Sequence, residues 1–479
     1  MTKHPSSKKI GLFLGPLLFI ILQIFSIEII SKEADTVIAT ALWMVLWWIT
    51  EAVSISVTAL LPLLLFPLFK VMPIADVGAN YGSPIVFLFF GGFVLALALE
   101  KVNLHKRIAL NIIKKTGTTP NKVILGFMIA TAFMSMWISN TASTVVMLPI
   151  AISVIKLLID DEDGFSKKDQ NFALSVMLGI AFSANAGGIA TVIGTPPNSV
   201  LIGLLENEYS IEVSFFKWML MGVPFSIILI TIIYFVLVKW MFPNRGLVFN
   251  TSKNVINDEL EKLGKMSGKE KQVLITFSVI VFLWVFRSLI NSIIPSLGLT
   301  DTMISILGAL ALFTIPFNIK TGDFILKWND TEKLAWGILI LFGGGLALAK
   351  GMSSTGIVDL VATGISNSNI SILIMATLLI ILMLFMTELM SNVALTAVLV
   401  PVVAGIAIGL EVPILHLLIP VTIASSCAFM LPMATPPNAI VFASGYVKVS
   451  QMAKVGIVIN LIAVALLVLL FKFFLPLIF

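Results

Sequence analysis

Ser139-Asn140-Thr141-Ala142 and Ser391-Asn392-Val393-Ala394 decide the fold of this 479-residue chain, because one repeats the other inside apolar sequence. Ten residues after each serine stands a proline, Pro149 and Pro401. Working outward, Phe90-Gly91-Gly92 is matched by Phe342-Gly343-Gly344, so three pairs share one offset of about 252 residues. A fourth pair, Thr195-Pro196-Pro197-Asn198 and Thr435-Pro436-Pro437-Asn438, is offset by 240. A charged insert around 160–170, absent from the second half, accounts for the difference. Four motifs in one order with a single local deletion mark an internal duplication.

Composition sets the surroundings of that duplication. The chain is 58% hydrophobic and 11% charged, against roughly 25% charge in soluble domains. Its exterior must face lipid, where a charge at the bilayer centre costs about 2.5–3.5 kcal/mol. Apolar runs long enough to cross ~30 Å of hydrocarbon lie near 10–30, 37–50, 53–69, 84–100, 172–204, 218–240, 272–294, 302–317, 335–350 and 454–479. Segments 123–158 and 370–445 are also apolar but broken by Asn, Pro, Gly and Ser. Ten-residue alternation, the mark of a transmembrane barrel, is absent, so the expected class is an all-α polytopic membrane protein. The first run reads as a retained helix, being longer than a signal-peptide core of ~7–15 residues. One cysteine, Cys427, and three histidines exclude an internal disulfide and a Cys- or His-rich metal centre. The net charge of +5 reflects topology, and no nucleic-acid partner is expected.

Lys and Arg concentrate in 101–122, 239–271 and 317–333, whereas 205–217 is acidic and 291–301 has no base. Cytoplasmic loops carry the excess of bases, which places the first three inside and the other two outside. The N-terminus is then cytoplasmic and the C-terminus outside. The two Ser-Asn motifs are entered from opposite sides, which makes the duplication an inverted repeat. Such repeats hold substrate near the midplane, where interrupted helices meet. The expected division is 1–122 for the scaffold helices of repeat 1 and 123–210 for its re-entrant hairpin and broken helix, the transport part. Linker and scaffold helices of repeat 2 take 211–370, and 371–479 holds its hairpin, broken helix and last span.

The motifs carry hard oxygens and amide donors. Asn140 and Asn392 offer two donors and an acceptor, and Ser139 and Thr141 offer hydroxyls. A half-helix starting at such a motif adds about half a positive charge, so a carboxylate can be held without a lysine. Ser135 and Thr387 precede the motif serines by four residues and can turn an oxygen toward a cation. Each Pro-Pro interrupts its helix, freeing carbonyls near Gly194 and Ala434 that suit Na⁺; Asn198 and Asn438 can restore lost hydrogen bonds across the break. A lone Ser-Asn-Thr in a membrane helix is a helix–helix contact and a lone Pro-Pro a kink; duplication in register argues for a ligand site. The Phe-Gly-Gly elements read as close packing. Glu51 and Glu388 are intramembrane carboxylates by position and therefore functional candidates, although a helix-end or structural hydrogen bond is the plainer reading. His416 and Cys427 read as structural.

At these motifs the sequence resembles the divalent anion/sodium symporter family, which includes bacterial dicarboxylate and animal citrate transporters, over essentially the whole chain. The resemblance implies about eleven transmembrane helices, two re-entrant hairpins, a homodimer and an elevator-like movement of a transport domain. It implies one sodium site at Ser135, Ser139, Asn140 and the Gly194 backbone, and a second at Thr387, Asn392 and the Ala434 backbone. Substrate carboxylates would meet Asn140, Thr141, Thr195, Asn392, Val393, Thr435 and Pro436. Val393 departs from the threonine of many bacterial members and cannot supply its hydroxyl, yet animal members with valine remain sodium-coupled. The expected function is Na⁺-coupled symport of C4 dicarboxylates (succinate, malate, fumarate) across a bacterial-type inner membrane, with no cofactor beyond the coupling ion. Some family members exchange dicarboxylates without sodium, and a passive anion channel is the alternative from another class. No catalytic set is present, so an enzyme is not expected.

Overall fold

The computed structural model describes residues 5–25, 30–117, 119–159, 166–244, 252–318, 320–366 and 370–479. These residues are nearly all helical. Seven of their helices are long and apolar enough to cross a membrane, among them Pro84–Lys101 (within the longer apolar stretch Ile74–Lys101), Gly268–Ile293 and Trp336–Ser354. The one strand pair is short, Pro316–Asn318 against Asp323–Phe324. Most of the charged insert lies outside the described residues. Its end starts the helix Lys167–Gly188, where Ser166 and Asp169 cap each other reciprocally and satisfy donors a helix start leaves free.

Three apolar runs are not single helices. Run 172–204 divides into Lys167–Gly188 and Pro196–Tyr209, because Pro196 and Pro197 start a new helix rather than continue the old one. Run 53–69 divides into Ile55–Thr58 and Leu61–Leu68. Run 302–317 is a helix only over Asp301–Thr314; its end passes into the strand at Pro316. Fourteen residues rise about 21 Å, short of the hydrocarbon thickness.

Ion pairs sort the loops onto two faces. Arg107 Nε lies 2.6 Å from Glu270 Oε1, and Lys106 Nζ 2.8 Å from Glu259 Oε2. Lys101 Nζ lies 2.6 Å from Asp330 Oδ2. The three basic segments therefore gather on one face. On another, Arg287 pairs with Glu212 at 2.6 Å, and Asp301 Oδ2 accepts the Phe215 N–H at 2.8 Å. This joins the segments that carry few or no bases. Helix Pro84–Lys101 starts beside that acidic group, where Thr302 Oγ1 donates to Pro84 O at 3.1 Å, and ends on the basic face at Lys101. Helix Trp336–Ser354 starts three residues after Lys333 and ends near Glu208, which pairs with Lys350 at 3.5 Å.

The Phe-Gly-Gly motifs are packing elements. A Cβ on Gly91 would meet Ser305, and one on Gly344 would meet the Ala59 carbonyl, so only glycine lets these backbones approach. Glu51 ends helix Lys32–Thr50 in the left-handed conformation (φ 50°) and is exposed. It belongs to a helix end, not to a buried site. Cys427 is buried and unpaired.

Candidate substrate and cation site

The helices around each Ser-Asn motif are built alike. Pro120–Ser135 and Asn140–Ile159 are separated by the break 136–139, and Ile372–Thr387 and Asn392–Gly409 by the break 388–391. Each asparagine is the first residue of its second helix, with its side chain returned to the end of the first. Ser135 Oγ lies 2.5 Å from the Asn140 amide and donates to Ala184 O at 2.7 Å. Thr387 Oγ1 lies 2.6 Å from Asn392 Oδ1 and donates to Ser425 O at 2.8 Å. Thr144 and Thr396 then back-bond to the carbonyls of Asn140 and Asn392 at 2.8 and 2.7 Å.

The broken helices match as closely. Asn198 Nδ2 donates to Gly188 O at 3.3 Å and Thr191 O at 2.8 Å. Asn438 Nδ2 donates to Ala428 O and Leu431 O, each at 3.1 Å. Proline removes donors at the break, and one amide in each half returns two of them to buried backbone carbonyls. The acceptors are related by the same 240-residue offset as the motifs.

The first half-site is ringed by acceptors. The Asn140 amide nitrogen faces Gly194 O at 3.3 Å, Ala184 O at 3.2 Å and Ser135 Oγ at 2.5 Å. With the amide turned, four hard oxygens converge there, a donor set that fits Na⁺. A Cβ on Gly188 would meet the Asn140 side chain and Gly194 O, so glycine keeps the space open. Ser139 does not reach this ring by hydrogen bonding: it is exposed in the break, and its Oγ accepts the Ala142 N–H at 3.1 Å. In the second half-site Thr387 is buried, Asn392 is half-buried, and Ala434 is buried beside the start of Pro436–Ala443.

Residues proposed for substrate surround the same helix starts. Thr195 and Thr435 are the N-cap residues of Pro196–Tyr209 and Pro436–Ala443, with similar extended backbones. Thr435 Oγ1 accepts the Asn438 N–H at 3.3 Å. Thr141 and Val393 are half-buried and Pro436 is exposed. Helix starts at Asn140 and Asn392 offer free N–H groups and partial positive charge that bind carboxylates; those at Pro196 and Pro436, whose first two residues are prolines without N–H, offer the partial charge alone.

Each half completes the other. Pro436–Ala443 packs on Lys167–Gly188 and Asn140–Ile159, and Pro196–Tyr209 packs on Asn392–Gly409 and Ile414–Ser425. Asn185 ties them, its Nδ2 donating to Thr435 Oγ1 at 3.1 Å and Ala428 O at 3.3 Å. Phe182 meets Phe429 edge-on at 5.2 Å. Sequence reasoning passed over Asn185 and Asn460. Each is a buried amide in an apolar helix, and that isolation was the available signal. Glu388 is buried, its carboxylate accepting from Phe429 N, Met430 N, Leu431 N and Asn460 Nδ2 at 2.8–3.0 Å.

Residues 11–479 match the profile of the sodium:sulfate symporter transmembrane region. The chain belongs to this family. It is a multi-pass membrane transporter, not an enzyme. It is 39% identical over 473 residues to the sodium-dependent dicarboxylate transporter SdcS of Staphylococcus saprophyticus, covering 98% of this chain and 91% of that one. The SdcS of Staphylococcus aureus strain bovine RF122 is 39% identical over 475 residues, with the same coverage. Among solved structures, the YdaH transporter of Alcanivorax borkumensis superposes with a TM-score of 0.59 at 10% identity, covering 84% of this chain and 87% of that one. MtrF of Neisseria gonorrhoeae gives 0.52 at 13% identity, over 83% of each chain. At those identities the likeness is one of fold.

Proposed function

We propose that this transporter carries small C4 dicarboxylates of the succinate, malate and fumarate class, coupled to Na⁺, by elevator-type alternating access. The observation that carries the reading is the matched pair of half-sites. Ser135, Asn140, Ala184 O and Gly194 O in one half answer to Thr387, Asn392, Ser425 O and Ala434 in the other. Two such oxygen sets suit two cations, and the helix starts between them suit the carboxylates of one substrate. Substrate contacts fall to Asn140, Thr141, Thr195, Asn392, Val393, Thr435 and Pro436. The name of the SdcS relatives, sodium-dependent dicarboxylate transporter, supports both substrate class and coupling ion.

The same reading makes the two halves inverted repeats, with the breaks at 136–139 and 388–391 as tips of re-entrant hairpins and about eleven helices crossing the bilayer. Its support is the opposed course of the helices carrying the Phe-Gly-Gly motifs between the basic and acidic faces. Segments 123–210 and 371–479 supply the moving part, and 1–122 and 211–370 the scaffold and linker. The protein lies in the inner (plasma) membrane with its N-terminus cytoplasmic and C-terminus outside, as a homodimer such as the family resemblance implies. Entry of a dianion against a potential of ~100 mV, negative inside, costs about 2.3 kcal/mol per charge, so more than two Na⁺ must accompany it for the potential to drive uptake.

The test is uptake of labelled succinate into proteoliposomes, with and without an inward Na⁺ gradient and with and without internal succinate. Sodium-driven uptake into empty vesicles is expected. Uptake only into succinate-loaded vesicles, indifferent to sodium, would make the protein an exchanger and refute the coupling.

A further inference from the structure

The two half-sites share the bonds made by Ser135 and Thr387 and by Asn198 and Asn438, but the breaks beside them carry different side chains. Glu388, next to Thr387, corresponds by the 252-residue offset to Met136, next to Ser135. In the first half, the Met136 carbonyl accepts Thr191 Oγ1 at 2.6 Å, a neutral contact. In the second, a carboxylate stands in the break and takes three successive backbone N–H groups, Phe429, Met430 and Leu431, at 2.8, 2.9 and 3.0 Å. Asn460 Nδ2 donates a fourth bond to Oε1 at 2.8 Å. All four partners are donors, so the set is arranged around an ionised carboxylate; a protonated one would carry a hydroxyl with no acceptor among them. Successive N–H groups converging on one point make an anion nest, and here the nest is filled by the protein itself.

Those bonds satisfy the carboxylate's lone pairs but not its charge. Among the described residues, the partners of Glu388 are these four donors, none of them a cation. The residue is 3% exposed, where an uncompensated charge is expensive. The segment it grips is the one that shapes the second cation set. Leu431 gives its N–H to Glu388, while its carbonyl accepts the Ala434 N–H at 3.2 Å and Asn438 Nδ2 at 3.1 Å. Thr387, the residue before Glu388, supplies the hydroxyl of that set.

We infer that Glu388 is the built-in counter-charge and positioning residue of the second cation site, which makes the two sites unequal. The second site binds the tighter sodium and fills first; the first site, with Met136 in the matching place, fills second. This rests on the sodium-coupled reading proposed above. It states in addition that the paired sites differ in charge although they match in ligands.

The experiment compares wild type and Glu388→Gln in two assays: the Na⁺-induced rise in Tm of purified protein without substrate, and the Na⁺ dependence of succinate uptake. Loss of a unit charge close to a cation in a low-dielectric surrounding weakens binding by about tenfold or more. Glu388→Gln is therefore expected to raise the half-saturating Na⁺ at least tenfold and to lower the Hill coefficient, while the succinate KM at saturating Na⁺ shifts far less. A merely structural glutamate would lower Tm equally with and without sodium and leave the Na⁺ half-saturation where it was; that result overturns the inference. Should Glu388→Gln fail to fold, Asn460→Leu decides. It removes one donor and keeps the charge, so the carboxylate gains more from a cation, and the Na⁺-induced rise in Tm should exceed that of wild type. A rise equal to or smaller than that of wild type overturns the assignment. A wild-type protein whose Tm and uptake both ignore sodium would instead refute the coupling reading on which this one stands.

Discussion

At the scale of single residues, four asparagines divide into two kinds. Asn140 and Asn392 open their helices half-buried, with amides aimed at oxygen sets that a ligand can share. Asn198 and Asn438 are fully buried, with both donors spent on backbone carbonyls. Substitutions should separate them. Asn140→Ala and Asn392→Ala are expected to reduce succinate uptake below a tenth of wild type while the purified protein keeps its Tm. Wild-type rates in both would remove these residues from the site. Asn198→Leu leaves Gly188 O buried without a donor, at a cost of about 1–3 kcal/mol; Asn438→Leu takes one donor each from Ala428 O and Leu431 O, which keep Asn185 Nδ2 and the Ala434 N–H. Asn198→Leu should therefore lower Tm by several degrees, measured by thermal unfolding in detergent, and Asn438→Leu by less.

At the scale of elements, much of the architecture was legible because membrane helices announce themselves by hydropathy and their interruptions by proline. The starts at Pro84, Pro120, Pro196 and Pro436 follow from proline's tolerance of a first helical turn. The shortness of Asp301–Thr314 was not legible: its apolar run continues to 317, and pairing with Asp323–Phe324, distant from the helix pattern, turns its end into a strand. In the site, the duplicated residues could be read but their cross-linking could not. Nothing local to Asn185 says that Thr435, 250 residues away, is its acceptor. The helix Ser252–Leu263 offers a test at this scale. It is held to the basic face by Glu259, whose carboxyl is kept below the usual range by hydrogen bonds from Lys106 and Lys262. A depressed carboxyl stabilises above its unfolded pKa, and that contribution is lost as pH falls through the folded value. Proteolysis within 252–263 should therefore accelerate on acidification below the ordinary carboxylate range. Lys106→Ala should produce faster cleavage already at neutral pH, by an amount fitting a partly exposed pair worth up to about 1 kcal/mol. Cleavage indifferent to both changes would show that the pair does not hold the helix.

At the scale of the whole molecule, the elevator reading requires one body to slide past another, and the structure offers a seam on which to test it. Ser83, before helix Pro84–Lys101, exchanges hydrogen bonds with Asn207 of Pro196–Tyr209 at 3.3 and 3.2 Å. Beside them Gly203 packs so closely that a Cβ would meet Ile85 and Leu346 side chains at 2.9 and 3.1 Å. Ser83 lies in the part assigned to the scaffold, and Asn207 and Gly203 in the part assigned to transport. If the seam slides during each cycle, joining it must stop the cycle. The only thiol in the chain, Cys427, is buried, so Ser83→Cys with Asn207→Cys gives a pair that a short bifunctional reagent can join with little competing reaction. Joining is expected to reduce succinate uptake to background with a reagent that is cleavable, and cleavage is expected to restore it. Each single substitution treated alike should stay near its own untreated rate, which removes simple blockage as the cause. Full uptake in a joined protein would mean that these helices travel together, and the moving boundary would have to be placed elsewhere in the fold.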